Sequence, residues 1–407
     1  MKTAVSVPIA AAAVLLLALA PAAHAQNLDE PRVGLPPLQY NFSPPGARSL
    51  AMGASFIGLA DDATASESNP AGLTILNRPE VSAHFRASSF DNEAPNTVTG
   101  FGFSTFNERL ASPSFFSVVY PWKSAAVSLY YQRAADFRNH SFFEGILEGG
   151  SPNYDQAETR FRVENAGLSA AVELGSKVSV GGSLRLSRVT LDSVQRATLP
   201  DFGFLTRIQG EVNDTQTEVT FNAGLLFKPV SKVSLGAVYK KGGDFGFQQS
   251  DSISVVANDI EEEFRDTRDA RVTIPDTYGA GLAFRPTDRW VIAADVVRIL
   301  YSDSDAGPEN LNLYQVAGEG GREALEDATE FHLGTEYAWS VGNDWVVSLR
   351  GGFYTDPDHD GLAGLDSDAV HVTFGGGVVV LNRLQVDAAL SLADHLKEGL
   401  ISFVVRF

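Results

Sequence analysis

The feature that most constrains the fold is an alternation of apolar and polar residues that recurs from about residue 111 to the end of the chain. In the final segment Ile401, Phe403 and Phe407 fall on one face and Ser402 falls on the other. A period of two is typical of a β-strand and not of a helix. One face suits hydrocarbon and the other suits a polar lumen, so the pattern predicts a transmembrane β-barrel.

The connections between these segments alternate in length. Short connections are predicted at 120–124, 174–177, 228–232, 285–289, 340–344 and 381–383, and long ones at about 135–159, 193–212, 243–270, 302–327 and 356–368, with a shorter one at 392–397. Outer-membrane barrels have tight periplasmic turns and large extracellular loops. A soluble sandwich has no reason to sort its loop lengths by side.

The sequence therefore predicts an all-β fold, a fourteen-stranded antiparallel transmembrane outer-membrane barrel. The predicted strands are 79–90, 113–121, 124–134, 160–174, 177–192, 213–228, 232–242, 271–285, 289–301, 328–339, 344–355, 369–381, 384–391 and 398–407. An even number places both termini in the periplasm. Residues 96–106 also resemble a strand, but they would make the number odd, so we assign them to the first extracellular loop.

The first 25 residues have the pattern of a secretory signal peptide. Lys2 supplies a positive charge, residues 9–20 are apolar, and Ala23-His24-Ala25 is a small-residue cleavage site. No later apolar run approaches the roughly 18–20 residues of a membrane helix. The chain has no Cys, which excludes disulfides and Cys-ligated metals, and its formal net charge of −19 argues against a nucleic-acid partner.

The chain ends in Phe407 behind Phe403 and Val405, a pattern similar to the C-terminal signal read by the barrel assembly machinery of Gram-negative outer membranes. Together with the signal peptide, it predicts export to the outer membrane of a Gram-negative-type bacterium. The expected partners are this assembly machinery during biogenesis, outer-membrane lipid and lipopolysaccharide.

Residues 26–78 break the alternation and are predicted to plug the barrel. About eight strands is the size that wall side chains alone can fill, so a wider barrel needs a filler. The segment carries Leu50, Met52 and Phe56, which a solvated tail would not be expected to carry; a disordered periplasmic tail is the alternative. We expect a helix-like run at 47–60. The predicted domains are a signal peptide at 1–25, a plug at 26–78 and a barrel at 79–407.

Charged residues fall on the face of the strands that is predicted to line the lumen. They are Glu173, Arg185, Glu218, Asp295, Glu336, Arg350 and Asp387. Such side chains need water or a polar partner.

The stretch GARSLAMGASFIGLADDATA at 46–65, followed by NPAGL at 69–73, closely resembles the N-terminal hatch of the FadL-type long-chain fatty acid and hydrocarbon transporters. The stretches IPDTYGAGLAF at 274–284, LDSD at 365–368 and FGGG at 374–377 look like the same family. The elements occur in the same order along most of the chain.

The resemblance implies passive diffusion of long-chain fatty acids or similar hydrophobic compounds, which are held above the hatch and released when the hatch rearranges. Asn69, Pro70 and Ala71 match the hatch triplet and are the expected gating element, with Gly53 and Phe56 in the same hatch. The alternative is that the triplet only ends a plug helix.

The resemblance also implies a sideways exit through a gap at a kinked third strand. Residues 124–134 contain no Gly or Pro that would break the ladder. Either the gap lies elsewhere or this chain does not release its ligand laterally.

Aromatic and aliphatic residues in the predicted outer loops are candidates for capturing an apolar ligand. They are Phe101, Phe103 and Phe106 in the first loop, Phe142, Phe143, Ile146 and Leu147 on one face of a short helical turn, and Phe202, Phe204 and Leu205 in the third loop. The alternative is that these loops pack on one another as a lid.

Asp356, Asp358 and Asp360 have the spacing that begins a calcium loop, but Ser367 stands where a bidentate Glu is needed. A solvated acidic loop is the alternative reading. The acidic stretch 259–263 is a second place where divalent cations could bridge to lipopolysaccharide. No other cofactor is expected.

An enzyme is not predicted, because neither a Gly-x-Ser-x-Gly nor a His-Glu-x-x-His motif occurs. Two alternatives to transport of apolar compounds remain: a scaffold barrel of a secretion system, and a channel for polar solutes. A transporter needs an apolar pocket between the loops and the plug, a scaffold needs a protruding apolar rim, and a channel needs an open water path.

Overall fold

The computed structural model describes residues 42, 44–95, 103–146, 152–201, 204–257, 260–305, 326–357, 369–394 and 396–407. The predicted signal peptide at 1–25 lies outside these residues. In the part of the chain so described, no helix is both long and apolar enough to cross a membrane.

Sixteen β-strands occur in the described residues. They are β1 (Glu80–Pro95), β2 (Phe103–Trp122), β3 (Ala125–Ile146), β4 (Pro152–Leu174), β5 (Val178–Asp201), β6 (Phe204–Val230), β7 (Val233–Lys240), β8 (Gly243–Ala257), β9 (Ile260–Ile274), β10 (Thr277–Thr287), β11 (Trp290–Ile299), β12 (Ala328–Val341), β13 (Trp345–Asp356), β14 (Ala369–Val380), β15 (Leu384–Leu392) and β16 (Leu396–Arg406).

Fourteen of these strands close into an antiparallel barrel, which confirms the predicted fold. β1 to β7 follow one another, β7 pairs with β10, and β10 to β16 lead back to β1. The remaining two strands, β8 and β9, form a hairpin that pairs with the upper part of β6. The loop predicted at 243–270 is therefore wrong, because this segment forms that hairpin.

The lipid-facing side chains lie where the alternation predicts. On β3 to β6, Leu129, Leu168, Leu184 and Val219 are 64%, 60%, 65% and 68% exposed. The residues on either side of each are buried, except Glu218. Six tight turns of two to three residues join β2–β3, β4–β5, β6–β7, β10–β11, β12–β13 and β14–β15, at the predicted short connections.

The connections predicted at 135–159 and 193–212 are shorter than predicted, because the strands continue beyond the membrane, whereas those predicted at 302–327 and 356–368 agree with the ends of the flanking strands. β3, β4, β5 and β6 have 22, 23, 24 and 27 residues, about twice the roughly 9–11 residues that cross a bilayer. Most of 135–159 and 193–212 is therefore strand. The backbones of Phe142, Phe143 and Ile146 lie in β3 and not in a helical turn, and β2 begins at Phe103, so the loop predicted at 96–106 is wrong for its last four residues.

The upper part of the barrel encloses an apolar core. Phe137, Phe161 and Leu191 of the extended strands pack with Phe245 and Phe247 of the β8–β9 hairpin, and all five are almost completely buried. The inward faces of the extended strands are thus joined to the hairpin by hydrophobic packing.

Residues 44–76, here called the N-terminal segment, lie inside the barrel. The segment contains α1 (Ala47–Ala51), α2 (Ala65–Ser68) and a 3₁₀ helix (Pro70–Ile75). α1 contacts β13 to β16, and the 3₁₀ helix contacts β2 to β6. Since these strands lie on opposite sides of the barrel, the segment spans the lumen. The domain boundary predicted at 26–78 stays a prediction, because residues 26–41 lie outside the described chain.

The predicted helix at 47–60 is wrong in length, since α1 ends at Ala51. Gly53 and Ala54 adopt positive φ angles of 62° and 57°, which reverse the chain after one turn.

Candidate functional site

A cavity of about 240 Å³ lies between the N-terminal segment and the apolar core of the upper barrel. Val163, Phe245 and Tyr301 line it from the apolar core, and Phe56 and Glu67 line it from the N-terminal segment. The cavity therefore has an apolar roof and a mixed floor.

The charged part of the floor is built around Glu67 of α2. Its Oε1 lies 3.0 Å from Arg185 Nη1 and 3.5 Å from Lys240 Nζ, and its Oε2 accepts a hydrogen bond of 2.6 Å from the Tyr130 hydroxyl. Burial alone would raise the pKa of Glu67, but Arg185, Lys240 and Tyr130 together outweigh it and lower the pKa. The carboxylate is therefore ionised and shared by two cations.

The next cation, Lys241, has its own acidic partner. Its Nζ lies 3.0 Å from Asp276 Oδ1, and the Tyr239 hydroxyl donates to Asp276 Oδ2 at 2.6 Å. Desolvation opposes these contacts, but the hydrogen bonds from Tyr239 and Lys241 prevail and lower the pKa of Asp276. Glu67 thus neutralises only one of its two cations, and this end of the cavity carries a surplus positive charge.

The opposite wall of the cavity holds three stacked rings. The Tyr354 ring lies 4.3 Å from the His371 ring and 5.5 Å from the His332 ring, measured between centroids. His332 Nε2 lies 3.0 Å from Glu330 Oε2. His332, Tyr354 and Glu330 line the cavity, so this wall is aromatic but acidic at its edge.

The predicted gating triplet lies below the cavity and is completely buried. The Asn69 amide donates to the carbonyls of Ile57, at 2.9 Å, and of Leu225 in β6, at 3.1 Å. Its Oδ1 accepts a hydrogen bond of 3.2 Å from the backbone N–H of Ala71. Asn69 therefore caps the start of the 3₁₀ helix, whose first residue is Pro70. Asn69 therefore joins two parts of the N-terminal segment to the wall; its gating role stays a prediction.

The two other predicted hatch residues are attached to the wall through their backbones. The Gly53 amide donates to Thr373 Oγ1 at 3.0 Å. The amides of Phe56 and Ile57 donate to one oxygen of Asp295 in β11, at 2.6 and 2.7 Å. Asp295 belongs to the predicted lumen set, and the structure shows which backbone it holds.

A belt of wall glycines receives the N-terminal segment, and the sequence did not predict it as a set. A Cβ atom on any of them would lie within 3 Å of that segment: Gly181, Gly224, Gly236, Gly279, Gly281, Gly334, Gly352 and Gly375. At Gly236 the Cβ would lie 2.1 Å from the Ile57 carbonyl oxygen. Glycine therefore permits backbone-to-backbone contact. The repeated Gly at alternate positions of FadL-like stretches was the available signal.

An ion-pair network lies on the other side of the N-terminal segment from the cavity. Arg48 binds both oxygens of Glu336, at 2.9 and 3.0 Å, and also binds Asp61. Arg350 joins Glu336, at 2.5 Å, to Asp387, at 2.7 Å. Three predicted lumen residues therefore belong to one network.

Of the other predicted lumen residues, Arg185 is buried beside Glu67, whereas Glu218 is exposed. Glu218 lies opposite buried Ser187 in the β5–β6 ladder, so it shares the inward face. In the described residues Glu218 has no ion pair.

The backbone ladder between β2 and β3 is interrupted in its upper part, which leaves a gap in the ladder. Their ladder ends at the pair Phe115–Gln132, although both strands continue upward with other partners. Pro113 lacks the amide needed for a ladder, and bulges at Ser114 and Ala134 bend the two strands. The gap thus forms without the Gly sought in 124–134. Gln132 and Ala134 also line the cavity, which therefore reaches the gap.

The predicted capture residues are only partly described. Phe101, Leu147 and Phe202 lie outside the described residues. The backbones of Phe103 and Phe106 lie in β2, those of Phe142, Phe143 and Ile146 in β3, and those of Phe204 and Leu205 in β6. Capture of a ligand by these residues stays a prediction.

The predicted metal site is described at one of its three residues, because Asp358 and Asp360 lie outside the described chain. Asp356 Oδ2 lies 3.6 Å from His371 Nε2. Within the described ranges, no group of three or more His, Asp or Glu residues is placed to hold a metal ion.

Solved structures with this fold are known. CymD, titled a monoaromatic hydrocarbon channel, is 16% identical with a TM-score of 0.65, over 91% of this chain and 99% of its own. The Ralstonia pickettii toluene transporter TbuX is 17% identical with a TM-score of 0.63, over 91% of this chain and 100% of its own. A Pseudomonas aeruginosa FadL homologue is 14% identical with a TM-score of 0.63, over 92% and 99%.

At these identities the solved structures show the fold alone. No curated protein matches the sequence. The profile of the family described as outer membrane protein transport protein (OMPP1/FadL/TodX) matches residues 41–400, nearly the whole chain. The chain therefore belongs to this outer-membrane family, whose members are transport proteins and not enzymes.

Proposed function

We propose that this barrel lets hydrophobic molecules with an acidic end, of which long-chain fatty acids are the type, diffuse passively across the outer membrane. The observation that carries the proposal is the cavity, which has an apolar roof, a positively charged end and the N-terminal segment as its floor. An open channel for polar solutes is not favoured, because the segment spans the lumen.

The charge of the cavity favours an acid over a neutral hydrocarbon, the cargo named for CymD. Lys240 and Arg185 share the single carboxylate of Glu67. A neutral apolar ligand would cover this surplus charge without pairing it, which costs free energy. A ligand carboxylate would form charge-assisted hydrogen bonds with it.

Ligand binding and movement of the hatch would then both depend on the carboxylate of Glu67. Glu67 lies two residues before Asn69, the first residue of the triplet Asn69-Pro70-Ala71. A ligand carboxylate that takes Lys240 or Arg185 from Glu67 weakens the hold of the wall on the N-terminal segment. The gap beside Gln132 offers the ligand a sideways exit, which supports lateral release.

The test is uptake of labelled palmitate and hexadecanol into liposomes that contain the full chain. Lys240→Gln should lower palmitate uptake relative to hexadecanol uptake by roughly tenfold, the effect of losing about one charge-assisted hydrogen bond, because any loosening of the N-terminal segment by the lost Lys240–Glu67 pair acts on both compounds alike. Lys177→Gln, at the tight turn after β4, is the matched control and should alter neither.

Two results would contradict the proposal at different levels. Equal losses for palmitate and hexadecanol in Lys240→Gln would remove the headgroup assignment but keep a hydrophobic transporter. Equal palmitate uptake with and without the protein would remove transport itself and favour the scaffold role.

A further inference from the structure

The outward face of β3, β4 and β5 carries a band of arginines above the lipid-facing side chains. On β4, Leu174, Val172 and Leu168 face the lipid with 56%, 38% and 60% exposure. The next outward positions beyond Ala166 are Glu164, Arg162 and Arg160. The outward face therefore changes from apolar to charged within a few residues.

The change occurs at the height of the outer membrane interface. Glu164 lies about 9–11 residues, one membrane span, above the periplasmic end of β4. Arg133 lies directly opposite Glu164 on β3, and Arg188 lies directly opposite it on β5. These three residues form a row across three strands at one level.

Two further rows continue upward, and only the second has the same excess of arginine. Arg162 lies opposite Asp136, and Arg160 lies opposite Arg138. Like charges directly opposite each other in an antiparallel pair are destabilising unless an anion joins them. The neighbouring Asp192 faces Arg160 in register but forms no ion pair with it.

Two members of the band have no acidic partner. Arg133 is 3.1 Å from Glu164, and Arg138 is 3.1 Å from Glu158. Arg160 and Arg188 are exposed, and over the ranges that the structure describes neither has an ion pair or a side-chain hydrogen bond.

We propose that this arginine band, formed by Arg133, Arg138, Arg160, Arg162 and Arg188, binds the phosphate groups of a lipopolysaccharide of the outer leaflet. Guanidinium groups match phosphate through two parallel hydrogen bonds. The lipid-facing Leu168 and Leu186 lie directly below, where the acyl chains of the same molecule would pack.

The band stands out against the rest of the chain. The formal net charge is −19, whereas the five arginines of this band outnumber the four carboxylates that lie among them, Asp136, Glu158, Glu164 and Asp192. On the far side of the barrel, outward-facing Arg298 is already paired with Asp327 at 3.1 Å.

The acidic hairpin that the sequence offered for cation bridging fits this partner less well. Its Glu261 is paired with Arg207 at 3.3 Å, and its Glu263 with Arg265 at 2.9 Å. These carboxylates have partners of their own, whereas the arginine band has two guanidinium groups without one.

The test is binding of bis-phosphorylated lipid A to the full chain in nanodiscs of neutral phospholipid, measured by native mass spectrometry. The double variant Arg160→Gln/Arg188→Gln should weaken binding by roughly tenfold or more, the loss of at least one charge-assisted contact. Arg298→Gln is the matched control and should bind like the wild type. Monophosphoryl lipid A should bind more weakly than the bis-phosphorylated form.

A second variant protects the test against misfolding. Arg160→Lys/Arg188→Lys keeps both positive charges but loses the planar guanidinium groups that bind phosphate through two parallel hydrogen bonds. This variant should bind lipid A with intermediate affinity. Equal binding by wild type and the Gln double variant would overturn the proposal. So would a wild type that binds both lipid A forms equally, because the second phosphate would then add nothing to binding, whereas the band is proposed to bind the phosphate groups together.

Discussion

Glu67 of the N-terminal segment and Arg185 of β5 form a buried ion pair, with Glu67 Oε1 3.0 Å from Arg185 Nη1. The pair lies on the floor of the cavity, and Glu67 lies two residues before Asn69. One carboxylate therefore takes part both in the proposed ligand site and in the attachment of the N-terminal segment to the wall.

Glu67→Gln should loosen the N-terminal segment without unfolding the barrel. The change leaves the Arg185 guanidinium buried without a counterion, and breaking a buried pair in this way costs about 3–5 kcal/mol. In planar bilayers we expect brief openings of the pore that the wild type does not show. Glu218→Gln, on the same inward face but exposed, is the control. Indistinguishable current traces for wild type and Glu67→Gln would contradict this role.

The same pair predicts how stability depends on pH. The pKa of Glu67 is lowered from 4.5 in the folded protein, since its cations outweigh its burial. Its contribution is therefore complete at pH above about 4.5 and is lost as the pH falls through the folded pKa. We expect protease sensitivity of the N-terminal segment to rise on acidification in the wild type.

Asp62 has the opposite sign and allows the two groups to be separated. Burial raises its pKa from 3.8, in spite of the nearby Arg48, so its protonation stabilises the fold as pH falls. The Glu67→Gln variant lacks the acid-induced loss of stability that Glu67 causes and keeps the stabilisation that protonation of Asp62 gives. Acid sensitivity equal to that of the wild type in Glu67→Gln would show that another group is responsible.

The membrane part of the fold could be predicted from the sequence because lipid imposes a strict alternation. Leu184 and Val219 are apolar, and their neighbours on each strand are polar, because one face meets hydrocarbon and the other meets the lumen. Above the membrane this constraint ends. Thr159 and Ser193 are buried and bonded to each other at 2.7 Å, whereas Phe161 and Leu191 on the same face are apolar, so the inward face there mixes both kinds of residue and the strands look like loops.

The candidate site was less accessible to sequence reasoning, because its parts come from distant segments. Glu67 and Arg185 are 118 residues apart, and no local pattern identifies them as partners. The gap between β2 and β3 depends on Pro113 in β2, which lies outside residues 124–134, where the break is expected from the sequence. A break in a ladder depends on both strands, so one strand cannot predict it.

Gly236→Ala should displace the N-terminal segment while the barrel still forms. The new Cβ would lie 2.1 Å from the Ile57 carbonyl oxygen, which is backbone and cannot swing away. Overpacking of this kind costs about 1–3 kcal/mol. Hydrogen exchange of residues 47–76 should therefore become faster. Gly246→Ala is the matched control, since its Cβ would meet nothing within 4 Å; equal exchange in the two variants would disprove the contact.

Phe245→Ala should loosen the packing of the β8–β9 hairpin on the upper barrel and weaken ligand binding. Phe245 is 1% exposed, packs in the apolar core and lines the cavity, and truncating a buried Phe costs about 3–5 kcal/mol. Phe264→Ala removes the same side chain from the same hairpin where it is 58% exposed, and should have little effect. Limited proteolysis of the hairpin and a palmitate titration check both expectations. The hairpin packs on Phe137 of β3 and Leu191 of β5 through the apolar core. Equal rates of hairpin cleavage in Phe245→Ala and Phe264→Ala would therefore show that this core does not hold the hairpin.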